Sequence, residues 1–386
     1  THLFIFNQIC FHQSVLTSYI KAITKPGSFI MRFSVKKRTH FLFICIMAAL
    51  TFKCAAQSFD ASIRSIHVAD ADNIAFSGSA GLVGYTSNGG ETWDTTRWTV
   101  KTPEDSIIYP SFRSCYIVED KMIAVGISAP GFIIRAPLND LKSSTVVHAD
   151  YDDRTFWDAM QFWDSNHGIV MGDPLGDCLS IYITHNSGDD WHNVACSALP
   201  PTLKGEAAFA ASNGNISCFG THAWIATGGG ASRVFHTADQ GRTWDVTNTP
   251  LIQGGTMTGA FAIAFKNEKE GIMIGGDWEN QTRNVGNLAY TSDGGVNWSL
   301  RSEGAGPGYR SCIIWRPNHK TECIAIGSKG IDRSIDNGLN WEHVSDDSYY
   351  TGRFTPDGKT LWLAGHQKVA KTPWPLLSDL KSTREE

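Results

Sequence analysis

The sequence predicts an all-β fold, a seven-bladed β-propeller, and three observations carry that expectation. A short loop recurs five times, at Thr86–Trp93, Thr184–Trp191, Thr237–Trp244, Thr291–Trp298 and Ser334–Trp341. Its pattern is Ser/Thr, any residue, Asp/Asn, any residue, Gly, any residue, a polar residue, Trp. Seven apolar runs end in glycine: Asn73–Gly78, Ile123–Gly126, Gly168–Gly172, Ala223–Gly228, Gly271–Gly275, Cys323–Gly327 and Leu361–Gly365. The spacing agrees with both. The last three Trp-to-Trp steps are about 53, 54 and 43 residues, and the first is about 98, room for one unit without a loop. Short, evenly spaced strands of this kind are the mark of radial β-sheets.

Each part of the loop has a mechanical role. Asn88, Asn186, Asp239, Asp293 and Asp336 offer a side-chain oxygen to backbone N–H groups across a tight turn. Gly90, Gly188, Gly241, Gly295 and Gly338 take positive φ without steric cost. Trp93, Trp191, Trp244, Trp298 and Trp341 bury a large ring where the next strand begins. Each unit opens with an apolar strand, continues through the glycine-ended strand and turns into the strand before the loop. The loopless second unit reads Phe112–Val118, Met122–Gly126 and Phe132–Ala136. The last unit, from Tyr350 to Thr372, lacks a loop and a fourth strand, and the segment after Gln57 is expected to supply it. No unit buries both its faces alone, so the array has to close as a ring.

Composition narrows the function. The chain has 386 residues, a net charge of -5 and 18% charged residues, so no nucleic-acid partner is expected. The first 30 residues read as an upstream extension and 31–56 as a signal peptide. Lys36, Lys37 and Arg38 form its basic region, Phe41–Phe52 an apolar region too short to span a bilayer, and Cys54-Ala55-Ala56 its small-residue end. Lys53 makes an acylated Cys54 a poor match. Cleavage before Gln57 is expected to release an exported, periplasmic or extracellular monomer with no transmembrane segment. The propeller would then span 57–375, followed by a polar tail over 376–386.

An exported chain permits disulfides. Cys178 and Cys196 flank the second loop, and Cys312 and Cys323 flank the turn around Pro317-Asn318, so both pairs suit hairpin bridges. The alternative is that these, with Cys115 and Cys218, are small buried thiols. No CxxC motif and no HExxH motif occurs, and the loops carry too few carboxylates for a calcium cage, so neither a metal nor a cofactor is expected.

The recurrent loop resembles the Asp-box, or BNR repeat, of sialidase-like propellers. With Phe156-Trp-Asp158, Gly172-Asp-Pro174, Gly205–Ser212, Gly275-Gly-Asp277 and Gly308–Ser311, residues 57–375 resemble the exported, WD40/YVTN-like propellers of the photosystem II stability/assembly factor-like group. The resemblance implies a binding or assembly module. Some members of that group carry an oxidoreductase label, which no dinucleotide, dithiol or haem motif in this chain supports.

Propellers bind ligands where loops converge on the axis. Arg64, Arg113, Arg310 and Arg353 occupy related positions in or beside first strands, Asp158 and Glu206 do so in two other units, and Asp173 and Asp277 follow glycine-ended strands. Trp157 and Trp278, flanked by acidic residues, are expected to reach the same face. Such a cluster suits a protein or peptide partner, or a carboxylated small ligand or glycan, through charge-assisted hydrogen bonds. The alternative is a sialidase-type glycoside hydrolase, which resembles this chain in combining arginines with carboxylates. The first strand, Ser62–Ile66, lacks that family's Arg-Ile-Pro start, and no catalytic residue is assigned.

Overall fold

The computed structural model describes residues 56–375. The upstream extension, the leader up to Ala55 and the polar tail lie outside the described residues. Apart from one 3-10 turn at Cys196–Ala198, every element is a strand, and no helix among the described residues is long and apolar enough to cross a membrane.

The glycine-ended runs are second strands, covered on both faces. Ile74–Gly78 and Cys323–Gly327 are buried at every position, as near-continuous apolar runs require. Each pairs antiparallel with an innermost strand on one side and a third strand on the other. The innermost strands then touch one another in order. Gln57–Val68 meets Phe112–Val118, which meets Trp157–Phe162, then Ile216–Phe219, Thr258–Phe265, Cys312–Trp315 and Thr351–Phe354. That last strand touches Gln57–Val68 again and closes the circle.

The expected seven separate blades are corrected to six sheets of four or six strands. The reason is the strand Gln57–Val68. Gln57, Ser58 and Ser62 pair with Thr360–Pro373, while Ile63–Val68 pair with Ile74–Gly78. The first and last units therefore form one six-stranded sheet, called here sheet one. Sheets two to six are numbered by their innermost strands, which begin at Phe112, Trp157, Ile216, Thr258 and Cys312, and the fifth also takes in Glu206–Ala207 and Gly228–Gly229.

The five recurrent loops share one hydrogen-bond pattern. In the third, Thr237 Oγ1 donates to Asp239 Oδ1 at 2.9 Å and accepts from Gly241 N at 2.9 Å, and Asp239 Oδ1 accepts from Thr243 N at 2.8 Å. The same three bonds recur in the loop at Thr86 and in the loop at Ser334. Glycine is required on two counts. Gly188 has φ 79°, and a Cβ there would lie 2.2 Å from Ile123 Cδ1 of sheet two. Three of the loop tryptophans pack against aromatic rings, Trp93 on Phe76 and Trp362, Trp191 on Phe162, and Trp298 on Phe265.

Of the two cysteine pairs, Cys178–Cys196 is bridged, with Cα atoms 5.6 Å apart. Cys312 and Cys323 are free and buried. Cys312 pairs with Ile326 and Cys323 with Trp315, so the register sets them at opposite ends of the hairpin.

Candidate functional site

The innermost strands carry a repeated irregularity. Their pairing with the second strand skips one residue between Ile63 and Ser65, Phe112 and Ser114, Trp157 and Ala159, and Ala260 and Ala262. The skipped residues are Arg64, Arg113, Asp158 and Phe261. A bulge turns its extra residue off the regular alternation and re-aims the side chain.

Three of these side chains gather around one segment. Residues 208–215, between the short strand Glu206–Ala207 and Ile216–Phe219, form no strand. Its sequence, Ala208-Phe-Ala-Ala-Ser-Asn-Gly-Asn215, is built mostly from small residues, which lets the backbone run close to its neighbours. Four successive carbonyls are met. Ala210 O accepts from Arg113 Nη1 at 2.9 Å, Ala211 O from Arg64 Nη1 at 3.4 Å, Ser212 O from Thr351 Oγ1 at 2.9 Å, and Asn213 O from Arg353 Nη2 at 2.8 Å. Ser212 Oγ donates to Ser311 O at 2.6 Å, and Asn213 Oδ1 accepts from Met160 N at 2.9 Å. Gly214 O accepts from Ile263 N at 2.8 Å, a bond between backbones.

This segment, called here the hub, thereby bonds to residues in or directly beside the innermost strands of all five other sheets. Phe261 stacks on Phe209 at 4.0 Å, Tyr309 meets Phe261 edge-on at 4.7 Å, and Met257 packs against the same group, so an apolar cap adjoins the hub.

The charges here are unbalanced. Arg64 lies over the Tyr350 ring at 4.0 Å, and its buried Nε has no hydrogen-bond partner. Among the described residues, neither Arg64, Arg113 nor Arg353 takes part in an ion pair. Burial and the neighbouring Arg64 charge push the Arg113 guanidinium down to about 10. Asp158 is fully buried and neither of its oxygens accepts a hydrogen bond. Burial, reinforced by Asp173, holds its carboxyl well above the usual carboxylate range. Asp173 is likewise raised by burial, and its Oδ1 accepts from Ala208 N of the hub at 2.8 Å.

The remaining expected site residues lie elsewhere. Arg310 is not at a bulge. It is buried against Asp332, with Nε to Oδ2 at 2.7 Å, and a one-residue offset leaves Ser311 facing the hub instead. Glu206 is consumed by Arg233, whose Nε lies 3.1 Å from both carboxylate oxygens, and by Thr227 Oγ1 at 2.6 Å. Trp157 does not reach a ligand face. It is fully buried, with the Tyr182 ring 5.3 Å away, because its neighbour Asp158 takes the bulge position. Asp277 caps its own turn, accepting from Glu279 N and Asn280 N, and leaves Trp278 exposed on that loop. Arg64, Arg113, Arg353, Asp158 and Asp173 are thus brought together, whereas Arg310, Glu206, Trp157, Asp277 and Trp278 are not. Sequence reasoning missed Phe261, Tyr309, Tyr350 and Thr351; the signal it had for the hub was the run of small residues after Glu206. Among the described residues no group of three or more His, Cys, Asp or Glu side chains is placed to hold a metal.

Antiparallel sheets whose innermost strands touch in a closed circle define a β-propeller. Among solved structures, the chain is similar to YCF48 bound to a D1 peptide, with 15% identity over 84% of this chain and 98% of that one and a TM-score of 0.59. It is also similar to YCF48 from Cyanidioschyzon merolae (16% identity, 83% and 99% coverage, TM-score 0.55) and to the Pan2 WD40 domain of Neurospora crassa (12%, 82% and 90%, 0.53). No protein-family model matches the chain, and no curated protein does. At these identities the likeness carries the fold.

Proposed function

We propose that this chain is an exported, non-enzymatic Asp-box propeller that binds a peptide on its hub face and serves as an assembly module. The observation that carries the reading is the pair Arg64 and Arg113: two neighbouring, half-buried guanidinium groups with no carboxylate paired to either. Each donates one Nη1 bond to the hub, which leaves donors for a partner's carboxylate. The apolar cap of Met257, Phe209, Phe261 and Tyr309 gives an adjoining side chain a surface to rest on. The likeness to a propeller whose structure was solved with a peptide bound supports the same reading. A carboxylate pair for glycoside hydrolysis has less to draw on, since Glu206 is spent on Arg233 and Asp158 is sealed from solvent.

The test is calorimetric titration of the full chain with N-acetyl-dialanine as the free acid and as the amide. A charge-assisted hydrogen bond is worth roughly 1.5–3 kcal/mol, so Arg64→Ala or Arg113→Ala should weaken binding of the acid by about 10-fold or more. Equal binding of acid and amide, or undiminished binding by the variant carrying both Arg64→Ala and Arg113→Ala, would overturn the proposal.

A further inference from the structure

Asp158 is an anomaly in this molecule. Buried carboxylates are ordinarily met by a counter-charge or by hydrogen-bond donors, and both of its oxygens lack a hydrogen-bond partner. Its position explains the company it keeps. It is skipped between Trp157, opposite Gly172, and Ala159, opposite Met171, so it takes the same bulge position on its innermost strand that Arg113 takes on the innermost strand in contact with it, and the Asp173 charge acts on it as well. From sheet two the Arg113 charge acts on it, and the Arg64 charge of sheet one acts in turn on Arg113. Tyr350 acts on Arg113 from beside the last innermost strand. The hub contributes only neutral groups here, Ala208 N bonding to Asp173 and Ala210 O bonding to Arg113.

We propose that Asp158 is an internal counter-ion of Arg113 and that its charge state sets the pH range over which the arginine pair accepts an anion. This rests on the reading of Arg64 and Arg113 as a carboxylate site. When Asp158 carries its proton, the two arginines face no compensating charge and an incoming carboxylate supplies it. When the proton leaves to solvent, Asp158 becomes the carboxylate that Arg113 sees, and an external anion competes with it. Asp158 is fully buried, so it does not touch the ligand; it acts through Arg113 as a positioning residue. The direction follows from the chemistry. Asp158 is raised above the usual carboxylate range by burial and by Asp173, so anion affinity is high at low pH and falls as pH rises through that raised value.

The experiment is titration of the full chain with N-acetyl-dialanine from about pH 5 to about pH 9, a window in which the probe's own carboxyl, near 3.5, stays ionised. His67, which is held down to about 3 by burial and by Arg353, stays neutral throughout and adds no step. The wild-type protein should lose about 10-fold or more in affinity across the window. Asp158→Asn should bind with the low-pH affinity at every pH. Asp173→Asn removes the like charge and should move the fall to lower pH, an effect that a role in packing alone does not produce. Affinity of the wild type that is flat with pH, or an equal fall in Asp158→Asn, would overturn the proposal. Should Asp158→Asn not fold, an unmoved profile in Asp173→Asn would overturn it as well. Absence of carboxylate binding by the wild type and by Asp158→Asn at every pH would instead remove the arginine site itself.

Discussion

Glu206 and Asp158 are both buried carboxylates, and they are treated in opposite ways. Glu206 accepts from Arg233, Thr227 and Leu203 N, so its charge is fully met in the folded state. Arg233→Met should therefore leave it stranded and cost about 3–5 kcal/mol in a urea melt, and Glu206→Gln in the same chain should recover part of that loss. Asp158 has no such partners, and burial with the Asp173 charge raises its carboxyl well above the usual carboxylate range. A carboxyl raised on folding stabilises fully below its unfolded value, and that contribution is lost as pH rises from there through the raised folded value. Asp158→Asn should accordingly gain stability relative to wild type as the solution becomes alkaline, measured as the difference in melt midpoints. His67 has the opposite sign. Its Nδ1 accepts from Ile117 N at 3.1 Å, which requires an unprotonated ring nitrogen. Its value is pushed from about 6.5 down to about 3, so its contribution is present above 6.5 and fades as pH falls towards 3. Wild type should lose stability over that acid window, and His67→Asn should lose less.

The recurrent loops are held by short side-chain bonds at the scale of a single turn. Thr237→Val removes a donor to Asp239 and an acceptor for Gly241 N, and should cost on the order of 1–2 kcal/mol. Gly188→Ala should cost more, because it adds strain at φ 79° to a collision with Ile123; paired thermal melts would rank the two. These turns and the second strands were legible in sequence because each carries a local signal, a fixed pattern of side chains or an unbroken apolar run. The site was legible only in part. Arg64 and Arg113 sit in related positions and do meet, but Arg310 looks equivalent and is not. One residue of offset at Ser311 turns a side chain to another face, and offset depends on pairing with a partner strand. The bulges and the hub are likewise products of long-range pairing, and nothing in residues 208–215 by themselves names Arg353 or Thr351 as partners.

Across the whole molecule, ring closure depends on the first and last strands meeting. The strand Gln57–Val68 belongs to both arms of sheet one, and Trp374, just past the last strand, donates Nε1 to the buried Glu322 at 2.9 Å. Glu322 also accepts from Arg316 at 2.8 Å and Arg333 at 2.7 Å. Trp374→Ala should therefore destabilise by about 3–5 kcal/mol, as loss of a buried tryptophan does, and limited proteolysis should open the chain first at Thr360–Pro373. The expectation of a strand after Gln57 closing the array was legible from a missing fourth strand. That the same strand continues into the next sheet was not, because sequence marks where a strand begins better than where its partner changes.

The hub also bears on how such a molecule changes over evolutionary time. Repeat arrays commonly grow or shrink by duplicating or losing a unit, since each unit contacts mainly its neighbours. Here one inserted unit would enlarge the circle around a centre of fixed size. The four carbonyls from Ala210 to Asn213 would then stand at the wrong angles to Arg113, Arg64, Thr351 and Arg353. The central segment acts as a gauge: it admits substitutions within a unit and rejects a change in their number.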